Sequence, residues 1–509
     1  MKAHSIYTLP NGLRIIHEPS TSEVLYCGYV IAAGTRHELP HESGMAHFIE
    51  HMTFKGTKKR RSWQISNGLE CVGGELNAFT NKQETVYCAT VLRQDFCRAA
   101  DLLTDIVFHS TYPGQEITRE VEVICDEIDS YQDSPSEIIF DEFEENLFQG
   151  EPLGRDILGS AERLRTYTTA DALDFAQRYY KPENAVFYVY GQVSFKTVIK
   201  TLCRLFDVAE EDCTDNVKFA DEMGENQETK DTGNPSSDKA SPIDFSHFQP
   251  ATRRLVDRDT HQAHVVLGTK AYGGRHPGRF ALMLLNNILG GPGMNARLNM
   301  QLREKAGLVY TVESNYSTYP DVGEWTTYFG CDASDVRKCL KLVYRELVRL
   351  LREPMTERQL AAAKRQFIGQ IGISRDAHEG YAVALGRANS RYASHRDLDE
   401  LAKTIVGLRD DPDPKAKGKD VEGGAVVVMD PNSGQILACA SYPTYDLATF
   451  RENYATLAED PMKPMYNRAF QAAYPPGSTY KMTMIVAATQ AGIINAETKI
   501  EDKGEFLKY

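Results

Sequence analysis

One short stretch, His47-Phe48-Ile49-Glu50-His51, constrains this chain more than any other. If the run is helical, His47 and His51 lie one turn apart on the same face and can bind one metal ion. A zinc site for hydrolysis needs three protein ligands, an open position for water and a base beside that water. The order H-x-x-E-H is the inverse of H-E-x-x-H and is itself a zinc-peptidase signature. A surface helix with two solvated histidines is the alternative interpretation.

Length and composition limit the classes of protein that remain. A chain of 509 residues with 42% hydrophobic and 25% charged residues predicts a soluble protein of two to four domains. The net charge of −14 argues against nucleic acid as a partner. No run of eighteen apolar residues predicts a membrane span, and the N-terminus does not read as a secretory signal. The ten dispersed cysteines form no C-x-x-C pair, so we expect reduced thiols in a cytoplasmic protein.

The residues around the histidine motif predict a mixed α+β domain. Asn11-Gly12 indicates a turn between two short strands. The apolar run at residues 24–34 predicts a buried strand, and residues 43–52 predict the helix that carries the histidines.

Two short strands are predicted after that helix, on either side of a polar turn. Asn77 and Ala78 lie on the first of them. A strand beside a metal cleft can hold an extended peptide by backbone pairing. An ordinary strand end is the alternative for these two residues.

An acidic, helix-favouring segment at residues 115–147 offers a third metal ligand. Glu120 and Glu127 are seven residues apart, so they lie on nearly the same helical face. Glu127 follows His51 by 76 residues, and a carboxylate on a separate helix suits the role of third zinc ligand. Glu120 can orient the ligands from behind. Both acids can equally belong to the solvated face of the helix.

The stretches HFIEH, NAFTNKQETVY and EVEVICDE together resemble the pitrilysin or insulinase family of zinc peptidases. The similarity is greatest to the short branch that includes the beta subunit of mitochondrial processing peptidase and its bacterial relatives. The resemblance implies one Zn²⁺ per chain, bound by His47, His51 and Glu127. It also implies that Glu50 is the general base, which activates a metal-bound water.

The same resemblance assigns residues around the metal. It implies that Glu120 is an auxiliary acid and that Asn77-Ala78 belong to a substrate-pairing strand. It further implies that Arg297 and Tyr310, in the second half of the chain, reach the substrate backbone, where they can donate to the scissile carbonyl. Because one chain carries both the metal motif and the Arg-Tyr pair, it resembles the bacterial homodimeric members. We therefore expect a homodimer that acts on unfolded peptide substrates.

The chain is predicted to divide into four segments. Residues 1–210 form the zinc-binding half, and 211–248 form a flexible acidic linker that is nearly devoid of apolar residues. Residues 249–400 repeat the order of strand, helix, turn and strand, which suggests a second, related α+β half. The family pattern fades near residue 400, about one helix before such a half would end.

Residues 401–509 read as part of a different protein. A strong hairpin is predicted around residues 430–434, and Ser478 and Lys481 form an S-x-x-K motif at the start of an apolar helix. This context resembles the transpeptidase domain of penicillin-binding proteins, in which the matching serine is acylated. The S-x-N and K-T-G elements of that family do not occur after Lys481. We therefore expect a truncated transpeptidase fragment with an incomplete site.

Three hypotheses of function follow from the sequence. The first is a zinc metalloendopeptidase that hydrolyses unfolded peptides or processing sequences. The second is a penicillin-binding or transpeptidase activity at Ser478, and the third is a non-catalytic scaffold subunit. The presence of all the metal ligands and of the base ranks the first above the third.

Overall fold

The computed structural model describes residues 4–209, 218–219, 253–258, 260–392, 401, 404–405, 424–429 and 436–442. The chain divides into two compact units, Met1–Asp410 and Asp411–Tyr509. No helix in these described ranges is both long enough and apolar enough to cross a membrane.

The first half of the larger unit contains the helix with the two histidines. Its elements in chain order are β1 (Ser5–Thr8), β2 (Arg14–Pro19), β3 (Val24–Ile31), α1 (Met45–Thr53), α2 (Ser62–Glu70), β4 (Glu75–Thr80), β5 (Thr85–Leu92), α3 (Phe96–His109), α4 (Gly114–Gln132), α5 (Pro135–Leu147), α6 (Ala161–Leu164), α7 (Thr169–Tyr179), β6 (Ala185–Gly191), α8 (Phe195–Leu205) and β7 (Lys218–Phe219). The predicted α+β fold class is confirmed.

These strands form one seven-stranded sheet in the order β4-β5-β3-β6-β2-β1-β7. Strands β2 and β6 pair in parallel, and β3 pairs antiparallel with both β5 and β6. All seven residues of β6 are buried, so this strand is covered on both faces. Strand β4 lies at one edge of the sheet, which leaves its outer backbone groups without a neighbouring strand among the described residues.

The second half repeats the order of elements that runs from β3 to α5 in the first half. Its elements are β8 (Ala263–Tyr272), α9 (Arg279–Gly290), a π-helix (Asn299–Lys305), β9 (Val309–Thr318), β10 (Val322–Cys331), α10 (Val336–Arg352), α11 (Glu357–Ser374) and α12 (His378–Tyr392). The strands form a three-stranded sheet in the order β8-β10-β9. Within the described residues β8 pairs with β10 alone, whereas its counterpart β3 has strands on both sides.

Each half contributes one helix to the sheet of the other. Helix α12 of the second half packs on the first-half sheet, where Ala382 and Leu385 share a buried cluster with Val30 and Tyr188. Helix α5 of the first half packs on the second-half sheet, and its Phe140 ring lies 5.2 Å from the ring of Tyr328. Each half thus supplies a helix that covers apolar strand surface of the other, so the halves stabilise each other.

Two details differ from the sequence prediction, and a third adds to it. The predicted helix at 115–147 is two helices, because Pro135 cannot continue α4 and instead opens α5. Lys218 and Phe219, inside the predicted linker at 211–248, pair with β1; the rest of that linker lies outside the described residues. Cys203 is disulfide-bonded, which is contrary to the expectation of reduced thiols, whereas seven other cysteines are free.

In the smaller unit, the described residues form an antiparallel pair of strands, β11 (Gly424–Met429) and β12 (Ile436–Tyr442). The pair agrees with the hairpin predicted around residues 430–434, although the turn itself lies outside the described residues. Ser478 and Lys481 also lie outside them.

Candidate metal centre

Helix α1 holds the two histidines rigidly because nearly all of it is buried. Phe48, Ile49 and Met52 are fully buried in the main core, and each such side chain contributes about 1.5–3 kcal/mol on burial. The helix begins after Gly44, whose φ of 80° favours glycine. A Cβ atom added at this position would lie 2.6 Å from the carbonyl oxygen of Leu158, so a larger residue would clash.

The N-terminus of α1 is closed by a buried carboxylate. Glu38 accepts hydrogen bonds from the backbone N–H groups of Gly44 at 3.2 Å and of Ala46 at 2.9 Å. These donors have no partner within the helix, and negative charge is favourable at this end. Burial nevertheless raises the pKa of Glu38 to about 8.

His47, His51 and Glu127 come together as a potential metal-binding group. The ligand atoms of these three residues all lie within 4.8 Å of one another. Oε2 of Glu127 lies 3.5 Å from Nε2 of His51 and 3.8 Å from Nε2 of His47. Zinc bonds of 2.0–2.1 Å in a tetrahedron place ligand atoms roughly 3.3 Å apart. The three side chains therefore fit one zinc ion with little movement.

His51 is oriented by a carboxylate behind it. Its Nδ1 lies 3.0 Å from Oε1 of Glu120. Oε2 of Glu120 forms an ion pair with Nζ of Lys55 at 2.5 Å. A proton on Nδ1 leaves the Nε2 lone pair free for a metal. Burial favours a raised pKa of Glu120, but the hydrogen bonds from His51 and Lys55 outweigh it and lower the pKa.

His47 is held in the neutral form that a metal ligand requires. Burial, and after it the neighbouring His51, lowers the pKa of His47 to about 3. Its Nδ1 is buried without a hydrogen-bond partner, and its ring lies 4.6 Å from the ring of His51. A neutral imidazole with Nε2 beside Glu127 matches the chemistry of zinc ligands.

Glu50 lies on the same helix and is held by a residue of β4. The Thr80 hydroxyl donates to Oε2 of Glu50 at 2.5 Å. Burial raises the pKa of Glu50, whereas the Thr80 hydrogen bond lowers it. Glu50 is thus a buried carboxylate that makes a hydrogen bond beside the metal-binding group, which is the environment of a general base.

The predicted substrate strand is an exposed edge of the sheet. Asn77 and Ala78 lie on β4, opposite Cys88 and Tyr87 of β5. The outward N–H of Ala78 donates to Oδ1 of Asn77 at 2.8 Å. A peptide that pairs with β4 at this point has to displace the Asn77 side chain. Thr80 lies on the same strand, so its hydrogen bond joins β4 to Glu50.

Tyr310 lies beside an arginine that the sequence analysis did not name, and the predicted role of Arg297 stays a prediction. The guanidinium of Arg303, on the π-helix, lies 5.8 Å from the centre of the Tyr310 ring, which is 81% exposed. Nη1 of Arg297 is buried without a hydrogen-bond partner. Among the described residues, no hydrogen bond or ion pair joins Arg297 or Tyr310 to the metal-binding group.

Three residues that contact predicted site residues were not named in the sequence analysis: Thr80, Lys55 and Arg303. Thr80 could have been found from the alternation of a strand, since it lies two residues after Ala78 on the same face. Lys55 lies one helical turn after His51. No signal in the sequence places Arg303 beside Tyr310, because its position depends on how the helix that carries it is wound.

Family models match most of the chain. The family described as insulinase (peptidase family M16) matches residues 14–161, and the peptidase M16 inactive domain matches residues 166–367. The penicillin-binding protein transpeptidase domain matches residues 424–508. Both predicted resemblances are thereby confirmed.

Curated relatives are similar over the same region. An uncharacterised zinc protease of Bacillus subtilis is 32% identical over 401 residues, which is 78% of this chain and 91% of the relative. The beta subunit of the bovine mitochondrial-processing peptidase is 30% identical over 404 residues, which is 78% of each chain.

Solved structures share the fold. A protease from Helicobacter pylori superimposes with a TM-score of 0.68 at 20% identity and covers 81% of this chain and 94% of its own. A peptidase M16 inactive domain from Pseudomonas fluorescens has a TM-score of 0.64 at 19% identity, over 79% and 90% of the two chains. With two adjoining family matches and relatives that are 30% or more identical over three quarters of its length, the chain belongs to the insulinase (M16) family of peptidases.

Proposed function

We propose that this protein is a zinc-dependent endopeptidase that hydrolyses unfolded peptides. The observation that carries the proposal is the grouping of His47, His51 and Glu127 within 4.8 Å, next to the buried Glu50 carboxylate. Family membership and relatives named as zinc proteases support a metallopeptidase function. The substrate class and the role of each residue are part of the proposal.

His47, His51 and Glu127 would hold one zinc ion per chain. When bound, zinc polarises the scissile carbonyl and makes the attacking water more acidic. Glu50 takes a proton from that water and passes it to the leaving amine. Thr80 keeps the Glu50 carboxylate in place through its hydrogen bond, and Glu120 keeps the imidazole of His51 in the required tautomer.

The peptide would bind in an extended conformation along β4. The edge of this strand offers backbone groups for pairing, and Asn77 and Ala78 lie on it two to three residues before Thr80. A folded substrate cannot supply a free strand of this kind, so selection for unfolded peptides follows from the mode of binding.

Tyr310 and an arginine of the second half would donate hydrogen bonds to the scissile carbonyl as negative charge develops on it. Arg297 was the arginine predicted from the sequence, and the contact with Tyr310 favours Arg303. We include in the proposal that two chains form a homodimer in the cytoplasm, so that the second half of one chain faces the metal site of its partner.

The proposal is tested with a quenched, unfolded peptide and the purified full chain. Glu50→Gln should retain bound zinc and lose at least about 10³-fold in kcat, because the base is removed while the ligands remain. His47→Ala should lose both zinc and activity. Glu70→Gln, which neutralises an exposed carboxylate on α2, is the matched control and should behave as the wild type.

Two results would contradict the proposal. If the wild type binds stoichiometric zinc but cleaves no peptide, a scaffold role is supported instead. If cleavage survives both Glu50→Gln and a zinc chelator, the hydrolysis has another origin.

The match of residues 424–508 to a transpeptidase domain favours a second candidate function. Ser478 would be the acylated nucleophile, and Lys481, three residues later, would assist its deprotonation. Covalent labelling of the full chain by a fluorescent penicillin, lost in Ser478→Ala, would support this activity. Absence of labelling would leave the peptidase as the function of the chain.

A further inference from the structure

A cavity of about 580 Å³ lies in the second half, between the π-helix Asn299–Lys305 and helix α10. Gln301 and Lys305 line it from the π-helix, and Arg345, Glu346 and Arg352 line it from α10. A π-helix is a rare element that often marks a functional site. None of these residues belongs to the metal centre.

The cavity carries excess positive charge. Arg349 and Glu353 also line it, and they neutralise each other through an ion pair of 2.7 Å. Lys305, Arg345 and Arg352 form no ion pair with any described residue. The side chain of Arg345 makes a single, long hydrogen bond of 3.5 Å to Gln301. Four cations and two carboxylates therefore line one cavity, and this net positive charge makes it attractive to a negatively charged ligand.

A buried carboxylate also lines the wall of the cavity. Glu346 is 2% exposed and interacts electrostatically with the guanidinium of Arg349, but among the described residues its oxygens accept no hydrogen bond. A hydrogen-bond donor from a ligand would therefore stabilise this carboxylate. A ligand that fits the cavity therefore supplies negative charge to Lys305, Arg345 and Arg352 and a hydrogen-bond donor to Glu346.

We propose that this cavity binds a phosphate group that carries a hydroxyl donor, with Lys305, Arg345 and Arg352 on its negative oxygens and Glu346 on the hydroxyl. Inorganic phosphate near neutral pH always retains at least one P–OH. Its oxygens would accept charge-assisted hydrogen bonds from the arginines, and its P–OH would donate one to the Glu346 carboxylate. Sulfate has a similar shape and charge but no proton, so its oxygens would face the Glu346 carboxylate with repulsion.

The same chemistry can come from a small phosphomonoester. Such an ester loses its last phosphate proton with a pKa near 6, so its donor has to be a hydroxyl on the carbon skeleton. The cavity volume exceeds that of a single phosphate ion and leaves room for a skeleton of this size. Glycerol phosphate has the hydroxyl, whereas methyl phosphate lacks it.

The test is calorimetric titration of the full chain at pH 7.5 and constant ionic strength with inorganic phosphate, sulfate, glycerol phosphate and methyl phosphate. Inorganic phosphate or glycerol phosphate should bind at least about tenfold more tightly than sulfate, since one hydrogen bond to a charged group separates them. Tighter binding of inorganic phosphate identifies the free ion as the ligand. Tighter binding of glycerol phosphate identifies a hydroxylated ester.

Separate variants test the role of the Glu346 carboxylate and the role of the cations. Glu346→Gln should bring the phosphate-to-sulfate ratio close to one, because the amide N–H can donate to either anion. Lys305→Met and Arg352→Met should weaken both anions about equally. Lys341→Met removes a charge from the exposed side of the same helix α10, outside the cavity, and should change neither affinity.

Three results would overturn the proposal: no phosphate binding by the wild type, equal affinity for phosphate and sulfate, or unchanged affinity in both Lys305→Met and Arg352→Met. If Glu346→Gln does not fold, the comparison of phosphate with sulfate in the wild type and the two cation variants still decides the question.

Discussion

The Tyr381 hydroxyl donates a 2.6 Å hydrogen bond to the Glu18 carboxylate, although 363 residues separate the two along the chain. Tyr381 lies on α12 of the second half and Glu18 on β2 of the first, and both are buried. Nearby, Arg387 of α12 forms an ion pair with the fully buried Glu84. Helix α12 is thus joined to the first-half sheet by polar contacts as well as by apolar packing.

Removal of this hydroxyl should destabilise the protein. Tyr381→Phe leaves the buried Glu18 carboxylate without one of its donors, so we expect the free energy of unfolding to fall by about 1–3 kcal/mol in urea titration. Tyr344→Phe on α10, where the tyrosine is 70% exposed, is the matched control and should change it little. Equal effects of the two substitutions would show that the hydrogen bond between Tyr381 and Glu18 contributes nothing to the free energy of unfolding.

Glu120 should govern zinc affinity rather than the chemical step. It accepts from Nδ1 of His51 at 3.0 Å, so Glu120→Gln should reduce zinc affinity about 10- to 100-fold in competition with a chelator. At saturating zinc, kcat should recover most of its wild-type value. Glu122→Gln, which neutralises an exposed acid on the same helix, should leave zinc affinity unchanged. An unaltered zinc affinity in Glu120→Gln would exclude the orienting role.

Stability should depend on pH through Glu324 of β10. Burial, and then the Glu144 carboxylate of α5, raises the pKa of Glu324 to about 8 from an ordinary value of 4.5. The folded state binds the proton of Glu324 more tightly than the unfolded state does. The protonated Glu324 therefore contributes to the free energy of unfolding fully below about pH 4.5, and this contribution is lost as pH rises to about 8.

Glu324→Gln should therefore flatten the decline of unfolding free energy between pH 5 and 8, and at pH 9 the variant should gain about 1–3 kcal/mol relative to the wild type. Urea titrations at pH 5, 7 and 9 measure this difference, with Glu70→Gln as the exposed control. A wild-type-like slope in Glu324→Gln would mean that Glu324 is ionised in the folded protein throughout this range.

The sequence predicts elements that local rules specify and misses those set by distant packing. Strand β3 and helix α1 follow from an apolar run and a helical motif, and the carboxylate of Glu127 reaches them as expected. The exchange of α5 and α12 between the halves leaves no local trace, because amphipathic helices look alike whichever sheet they cover. The Thr80 hydrogen bond to Glu50 likewise depends on how β4 lies against α1.

The contact of Arg303 with Tyr310 was not predicted, for a related reason. In an ordinary α-helix the face of a residue follows from a period of 3.6, but residues 299–305 form a π-helix with i→i+5 hydrogen bonds. The wider turn changes which side chains share a face. Arg303 of this π-helix lies over the ring of Tyr310.

Kinetics of single and double variants can identify the arginine that acts with Tyr310. Arg303→Gln and Tyr310→Phe should each lower kcat/KM about 10²-fold, as the loss of one donor to a developing oxyanion does, while zinc content and unfolding free energy stay unchanged. Because the two side chains touch, the double variant should lose less than the product of the single effects. Arg297→Gln should instead leave kcat/KM nearly intact and should not lower the unfolding free energy, because Nη1 of Arg297 is buried without a hydrogen-bond partner. If Arg297→Gln folds normally and loses activity whereas Arg303→Gln retains it, Arg297 is the substrate-binding arginine and the contact of Arg303 with Tyr310 is structural.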